Sequence, residues 1–497
     1  MNIKIARMST LFLCILILVL IVPSVAAASP NPDYAAIDSY VESQCRASNI
    51  PGLAIGIVRG DQVVHLSGFG KGGSAGGAIT PQTPFILGSV SKGFTALSVI
   101  QLAEAGKIDL NATVQTYLPW FTLADAAQAA NITIRDLLYQ TSGLGYYDSL
   151  RPFWDNPGKY TLEERIHQLA DVKPHREPGI AFEYSNYNYM ILGLIVEKVS
   201  GQPYGEYIRQ NIFMPLQMNN SFTSPEQVQD QEMAVGHRWW FGIPFAVEAP
   251  YLYDALPAGC IISSAEDMTH YLVAQLNQGT YGNNPPVIST EGLIALHTPP
   301  SDVDSIYCMG WVRGPVGTVN SLYHEGEAEG YYSIVIIEPE SGWGIVVLSN
   351  VSDMFVNPVK DIAVRILEYL KNGSSLKANQ SFWIKYGIFD FVVVALTGLI
   401  IWFTFRIPRW SRKLVSKPPH GIRAWLWRVI LPILGEFIFP YVVLAFLPQG
   451  AGFPMWKVMG IFQPDVVFWI MFLVGLFVFR GLLRIGLACF ALRKKNA

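Results

Sequence analysis

The sequence predicts an α+β domain organised on an antiparallel sheet, followed by an all-α region that crosses a membrane. Two observations carry this. Short β-branched runs stand near both ends of a segment of about 350 residues, Ser29 to Ser381, with helical patterns between them, so the sheet must join the segment's termini. The tail beyond holds three long apolar runs, and the whole chain of 497 residues is 51% hydrophobic and only 15% charged, too apolar for one soluble domain. The net charge of -3 conceals two opposite parts: residues 29–381 carry 19 Lys+Arg against 35 Asp+Glu, while residues 382–497 carry 14 against 3. A basic nucleic-acid groove is therefore not expected in the large domain, and the basic tail points to a membrane as partner.

Taken in order, Lys4 and Arg7, the apolar run Leu11 to Val22 and the small residues Ala26-Ala27-Ala28 read as an export signal over residues 1–28, cut near Ala28. An uncleaved signal anchor is the alternative, and in either case the next segment leaves the cytoplasm. Leu53 to Val58 and Gln62 to Ser67, separated by Arg59-Gly60-Asp61, read as one hairpin, and Ser333 to Ile337 with Gly344 to Leu348 as a second. Val90 to Ala105, stopped by Gly106, and Tyr189 to Val199, stopped by Gly201, read as helices between them. The domain is placed at residues 29–370 and a linker at 371–385.

The membrane region, residues 386–497, is expected to hold spans near 386–405, 429–447 and 466–485. The first run matches the roughly 30 Å of bilayer hydrocarbon at about 1.5 Å per helical residue. Arg406, Arg409, Arg412, Lys413, Lys417, Arg423 and Arg428 follow it with no acidic residue, which marks a cytoplasmic loop and leaves the domain on the outer side of the cell membrane. A Gly/Pro-containing outer loop is expected up to Pro464. Glu436, inside the second span, reads either as a functional carboxylate or as an interhelically bonded group, and Arg480 and Arg484 are expected to snorkel to the inner interface.

Several short motifs lack their structural setting. Gly72-Gly73-Ser74-Ala75-Gly76 matches a nucleophile elbow but has no apolar helix directly after it, and reads as a flexible loop. Gly68-Phe69-Gly70-Lys71-Gly72-Gly73 matches a dinucleotide fingerprint but opens no helix. His324-Glu325 lacks the second histidine of a zinc protease helix, and Cys45, Cys260 and Cys308 have no metal-ligand spacing. Neither a metal nor an organic cofactor is expected.

Ser89-Val90-Ser91-Lys92 differs from these in its context. Ser374-Ser375-Leu376-Lys377 has the same spacing but lies in a polar stretch, whereas Ser89 follows Phe85-Ile86-Leu87-Gly88 and opens a strongly apolar helix. Residues three apart share a helix face about 5–6 Å from one another, so Lys92 can reach the Ser89 hydroxyl. Lysine becomes a base for such a hydroxyl when burial and positive neighbours lower its pKa. The helix tip also presents free N–H groups and the positive dipole end beside Ser89.

The segment Phe85 to Thr95 resembles the first motif of the serine β-lactamase and penicillin-binding-protein superfamily, in its class C and D,D-peptidase-like branch. Further matches follow in the family's order: Ile132 to Leu144; Pro178 to Asn186, containing Tyr184-Ser185-Asn186; Pro257-Ala258-Gly259 with Ser263 to Met268; and Tyr323-His324-Glu325-Gly326 with Gly330-Tyr331. The resemblance spans roughly residues 32–370 and implies the β-lactamase/transpeptidase-like fold. It implies that Ser89 attacks an acyl carbon, that Lys92 takes or relays the proton, and that Tyr184, as phenolate or phenol, shares base duty and protonates the leaving group. It further implies that Asn186 orients substrate and Lys92 and that His324 is an electrostatic and hydrogen-bonding partner. The N–H groups of Ser89 and of Glu327, after Gly326, would form the oxyanion hole.

The strand sequence His324-Glu325-Gly326-Glu327-Ala328-Glu329 departs from the family, whose third motif commonly places Lys and Thr or Ser to hold a substrate carboxylate. Strand alternation puts the three carboxylates on one face, and they disfavour anionic substrates only if that face is turned to the cleft. The expected function is a membrane-anchored extracytoplasmic serine hydrolase acting through an acyl-enzyme on an ester, amide or D-amino-acid peptide. A carboxylesterase of the same fold and a slow-turnover β-lactam- or peptide-binding sensor are the alternatives, with β-lactamase activity ranked below them.

Overall fold

A computed structural model of the protein describes residues 32–72, 77–228, 232–353, 356–377, 381–451 and 454–496. The export signal expected at 1–28 and most of the Gly72–Gly76 loop lie outside the described residues.

Among the described residues, six strands form the main sheet: β1 Gly52–Arg59, β2 Gln62–Gly70, β3 Val312–Val316, β4 Val319–Ala328, β5 Tyr331–Glu338 and β6 Trp343–Ser349. Their order is β2-β1-β6-β5-β4-β3 with every neighbour antiparallel. Leu53 stands opposite Ser349 and Arg59 opposite Trp343, so the two predicted hairpins meet edge to edge at the middle of the sheet. The β1 and β6 sequences are apolar at nearly every position because both faces of these central strands are covered.

The covering helices are α1 Tyr34–Ala47, α2 Ser91–Glu104, α3 Asn186–Ser200, α4 Ala265–Leu276 and α5 Pro358–Asn372. On one face α1 and α5 bring Ile37, Val41, Ile362 and Ile366 onto Ile55, Ile334, Ile345 and Val347. On the other, Met268 and Leu272 of α4 join Ala54, Val335, Val346 and Leu348, and this core runs on into the lobe of α2 and α3. Buried aliphatic side chains of this kind contribute about 1.5–3 kcal/mol each. α2 is buried along almost its whole length, as its all-round apolar sequence demands. It therefore carries Lys92 into the interior.

Three helical stretches among the described residues are long and apolar enough to cross a membrane: Phe382–Ser416, Gly421–Ala451 and Pro464–Ala491. Each exceeds its expected length. The basic stretch after the first helix is itself mostly helical, Ile407–Ser416, with Ile407 and Leu414 turned inward and its cations outward, and the Gly/Pro-containing segment before Pro464 contains a short helix, Met455–Phe462.

Arg480 and Arg484 do not snorkel. Both reach Glu436 Oε1 at 2.9 Å, and Arg480 also donates to the Ile400 carbonyl at 2.9 Å, so one charge cluster ties the three helices together. A charge in apolar surroundings is costly alone, and pairing inside the bundle competes with the path to water.

Candidate active site

Backbone contact between the serine turn and the sheet sets the geometry. Ser89 lies in a single 3-10 turn, Gly88–Val90, that runs into α2. Gly88 has φ +54, and a Cβ on it would lie 2.4 Å from Glu327 N. A Cβ on Gly326 would meet Leu87 O at 2.0 Å and Ser89 N at 3.0 Å. Only glycines on both sides permit this approach, which brings the backbone amides of Ser89 and Glu327 close together at one end of a cleft.

Lys92 is fully buried one turn along. Its Nζ lies 2.9 Å from Ser89 Oγ, donates at 2.7 Å to Asn186 Oδ1 and at 2.6 Å to the Ala258 carbonyl, and stands 4.8 Å from the centre of the Tyr184 ring. Burial pushes its pKa well below the ordinary lysine value, with a smaller opposing influence from Cys260. Of the two causes named from the sequence, burial is the one that acts. A neutral amine has two N–H groups and one lone pair. Asn186 and Ala258 take the two donors, which leaves the lone pair for the Ser89 hydroxyl.

Tyr184 sits just before α3, within hydrogen-bonding reach of Ser89, and burial raises its phenol pKa well above 10, with Tyr307 adding and the Ser89 hydroxyl opposing. Of the two forms considered from the sequence, this environment selects the phenol. His324 is buried on β4, its ring 6.5 Å from that of Tyr184. Burial first, then Lys92, pushes its pKa down to about 3. The neutral ring donates from Nδ1 to the Glu325 carbonyl at 2.7 Å and accepts from the Tyr307 hydroxyl at 3.3 Å. It acts as an uncharged hydrogen-bonding group in the wall.

All three carboxylates border the cleft, but two of them are paired with cations. Glu325 and Glu327 stand opposite Ile334 and Tyr332, whose side chains belong to the core under α1 and α5, whereas His324 stands opposite Val335 on the α2 side. Lys360 pairs with Glu325 at 2.6 Å and Arg238 with Glu329 at 2.7 Å. Burial, reinforced by Asp353, lifts Glu327 to about 7. The charge facing an anionic substrate is thus smaller than the sequence alone suggests.

Ser89, Tyr184, Asn186, His324, Gly326 and Glu327 all line one cleft of about 820 Å³. Lys92 meets it from behind through Ser89 and Asn186. Sequence reasoning missed Tyr307, which lies in a loop without motif or periodicity, and gave no role to the Ala258 carbonyl or to Gln140, although both fall in quoted segments. Gln140 adopts φ +61 and is fully buried. Its Oε1 accepts from the Ser185 N–H at 2.9 Å and from the Asn188 amide at 2.5 Å, and its carbonyl accepts from the Glu183 N–H at 2.8 Å. It clamps the loop that carries Tyr184 and Asn186. Replacing Gln140 with leucine strands two buried donors at about 1–3 kcal/mol each, so thermal unfolding should shift down and kcat should fall.

The comparisons give the chain's family and fold. The family model described as Beta-lactamase matches residues 37–368. Protein flp of Staphylococcus aureus (strain NCTC 8325 / PS 47) is 26% identical over 436 residues, covering 83% of this chain and 84% of that protein. Penicillin-binding protein 4 of Amycolatopsis lactamdurans is 30% identical over 315 residues, covering 61% of this chain and 81% of that protein. Among solved structures, the octameric penicillin-binding protein homologue from Pyrococcus abyssi matches with a TM-score of 0.59 at 26% identity, over 69% of this chain and 78% of that one. The D-amino acid amidase from Ochrobactrum anthropi SV3 matches with a TM-score of 0.59 at 22% identity, over 69% of this chain and all of that one, a likeness of fold.

Proposed function

The chain belongs to the beta-lactamase family of the serine hydrolase superfamily, and from that premise we propose that it is a membrane-anchored hydrolase whose Ser89 forms an acyl-enzyme on the outer side of the cell membrane. The observation that carries this reading is the fully buried Lys92 amine 2.9 Å from Ser89 Oγ, with both its other hydrogen-bonding directions occupied.

In the forward step Ser89 Oγ bonds to the acyl carbon and its proton passes to the Lys92 lone pair. The oxyanion is held by the N–H groups of Ser89 and Glu327. Tyr184, a neutral phenol, gives its proton to the departing oxygen or nitrogen and is reprotonated from Lys92. Asn186 keeps Lys92 aimed at Ser89. Water then attacks the ester carbon and loses its proton to the same amine, which gives it to Ser89 Oγ as the bond from Oγ to the acyl carbon breaks.

The substrate is an ester or amide, with a D-amino-acid peptide first among anionic options. Of the cations lining the cleft, Lys360 is already paired with Glu325. A substrate carboxylate therefore meets no free cation there among the described residues, and this ranks a carboxylesterase or amidase activity above D,D-carboxypeptidase and β-lactamase activities. The full chain in bilayers, offered ester, D-Ala-D-Ala peptide and β-lactam panels, should gain the mass of an acyl group on the peptide bearing Ser89. No adduct and no turnover with any panel would remove the reading.

A further inference from the structure

We infer that the cleft takes an ester or amide whose alkyl chain remains seated in the bilayer on which the domain stands. The inference rests on the hydrolase reading above and names its substrate class.

The membrane region supplies part of the cleft wall. Phe462, the last residue of the helix Met455–Phe462, lines the same cleft as Ser89. It stands two residues before Pro464, where the third membrane helix begins. Its ring lies 6.1 Å from that of Phe153. Phe153 in turn packs on the apolar cluster of Leu252, Ala255 and Cys260, and Cys260 follows closely on Ala258, whose carbonyl holds Lys92. An apolar track therefore runs from the buried amine to the domain-side end of the membrane bundle.

The domain is pinned at that end by independent contacts. The hairpin of His237–Trp240 and Ile243–Ala246 sets Trp239 on Phe382 at 5.1 Å, Phe241 on Phe389 at 6.0 Å and Trp240 on Phe468 at 5.7 Å. The Phe241 N–H donates to Asp465 at 3.1 Å. Contacts to the first and third apolar helices hold the domain, with the cleft wall that Phe462 completes, at the end of the helical bundle. The volume, about 820 Å³, sits high in the range of about 300–1,000 Å³ seen for drug-sized ligands and exceeds what a small acyl group fills. An alkyl chain sliding from lipid onto the Phe462–Phe153 wall exchanges one apolar environment for another, while its polar head reaches the donors around Ser89.

The test uses the full chain reconstituted in phosphatidylcholine–phosphatidylglycerol vesicles. The ratio of kcat/KM for p-nitrophenyl palmitate to that for p-nitrophenyl acetate should fall about tenfold in Phe462→Ala, the effect of losing most of one aromatic side chain's apolar burial. In Ser89→Ala protein, a palmitoyl ester carrying a photoactivatable diazirine and preloaded into the same vesicles should crosslink to the Met455–Phe462 segment. The same probe delivered on albumin should label it far less. Acetate turnover with an unaltered palmitate ratio and no crosslink in that segment would overturn this inference alone, and equal labelling from albumin would overturn the bilayer as source. Absence of both turnover and a Ser89 adduct would overturn the hydrolase reading and this inference with it.

Discussion

Ser89→Ala should lower hydrolysis of every accepted ester or amide by about 10⁵- to 10⁶-fold, the size of loss seen when a serine hydrolase's nucleophile is removed. The expectation is this large because, among the described residues, Ser89 is the hydroxyl hydrogen-bonded to the buried Lys92 amine. Ser91 Oγ accepts from the Ile261 N–H at 3.1 Å and is fully buried, so it cannot replace Ser89. The substitution removes one oxygen from a partly exposed turn and leaves the Ser89 N–H in place. The folded state should therefore be kept, with an unchanged melting profile, and the acyl adduct should vanish from mass spectra. A variant that still turns over at the parent rate would place the chemistry elsewhere.

Lys92→Met should cost about 10³- to 10⁴-fold in kcat, at the upper end of what one proton-transfer group contributes. Methionine fills similar space without a lone pair for the Ser89 proton or donors for Asn186 and Ala258. The parent enzyme should also show an acid limb. Because burial depresses the Lys92 pKa, the neutral amine is the species present above that lowered pKa. Rate should therefore rise with pH through it and fall below it as the amine gains its proton, and the limb should disappear from whatever activity Lys92→Met retains. A methionine variant with the parent's rate and limb would show that another group accepts the proton.

Elements built from local pattern were legible. β1 with β2, and β5 with β6, lie where β-branched runs flank short turns, and α2 and α3 lie where apolar stretches end in glycine. Gly88 and Gly326 stood in recognisable motifs, yet their reason is reciprocal: each clears room for backbone from the far end of the chain. Tyr307 and the Ala258 carbonyl escaped notice because a hydrogen bond made across sequence-distant loops leaves no local period. Arg480 and Arg484 were misread for a similar reason. A basic residue near the end of an apolar run looks like an interfacial anchor until the partner helix is known to place Glu436 beside it.

The sequence alone determined the order of parts, the central hairpins, the serine one turn before a lysine on an apolar helix, and three runs long enough to cross a bilayer, since all of these follow from periodicity and composition over a few neighbouring residues. Only the tertiary structure decided how those groups behave. It selected the phenol form of Tyr184, discharged His324, paired Glu325 with Lys360 and Glu329 with Arg238, and brought Phe462 into the cleft wall. Protonation and pairing depend on what surrounds a group in three dimensions, and desolvation by residues hundreds of positions away outweighs anything its sequence neighbours supply.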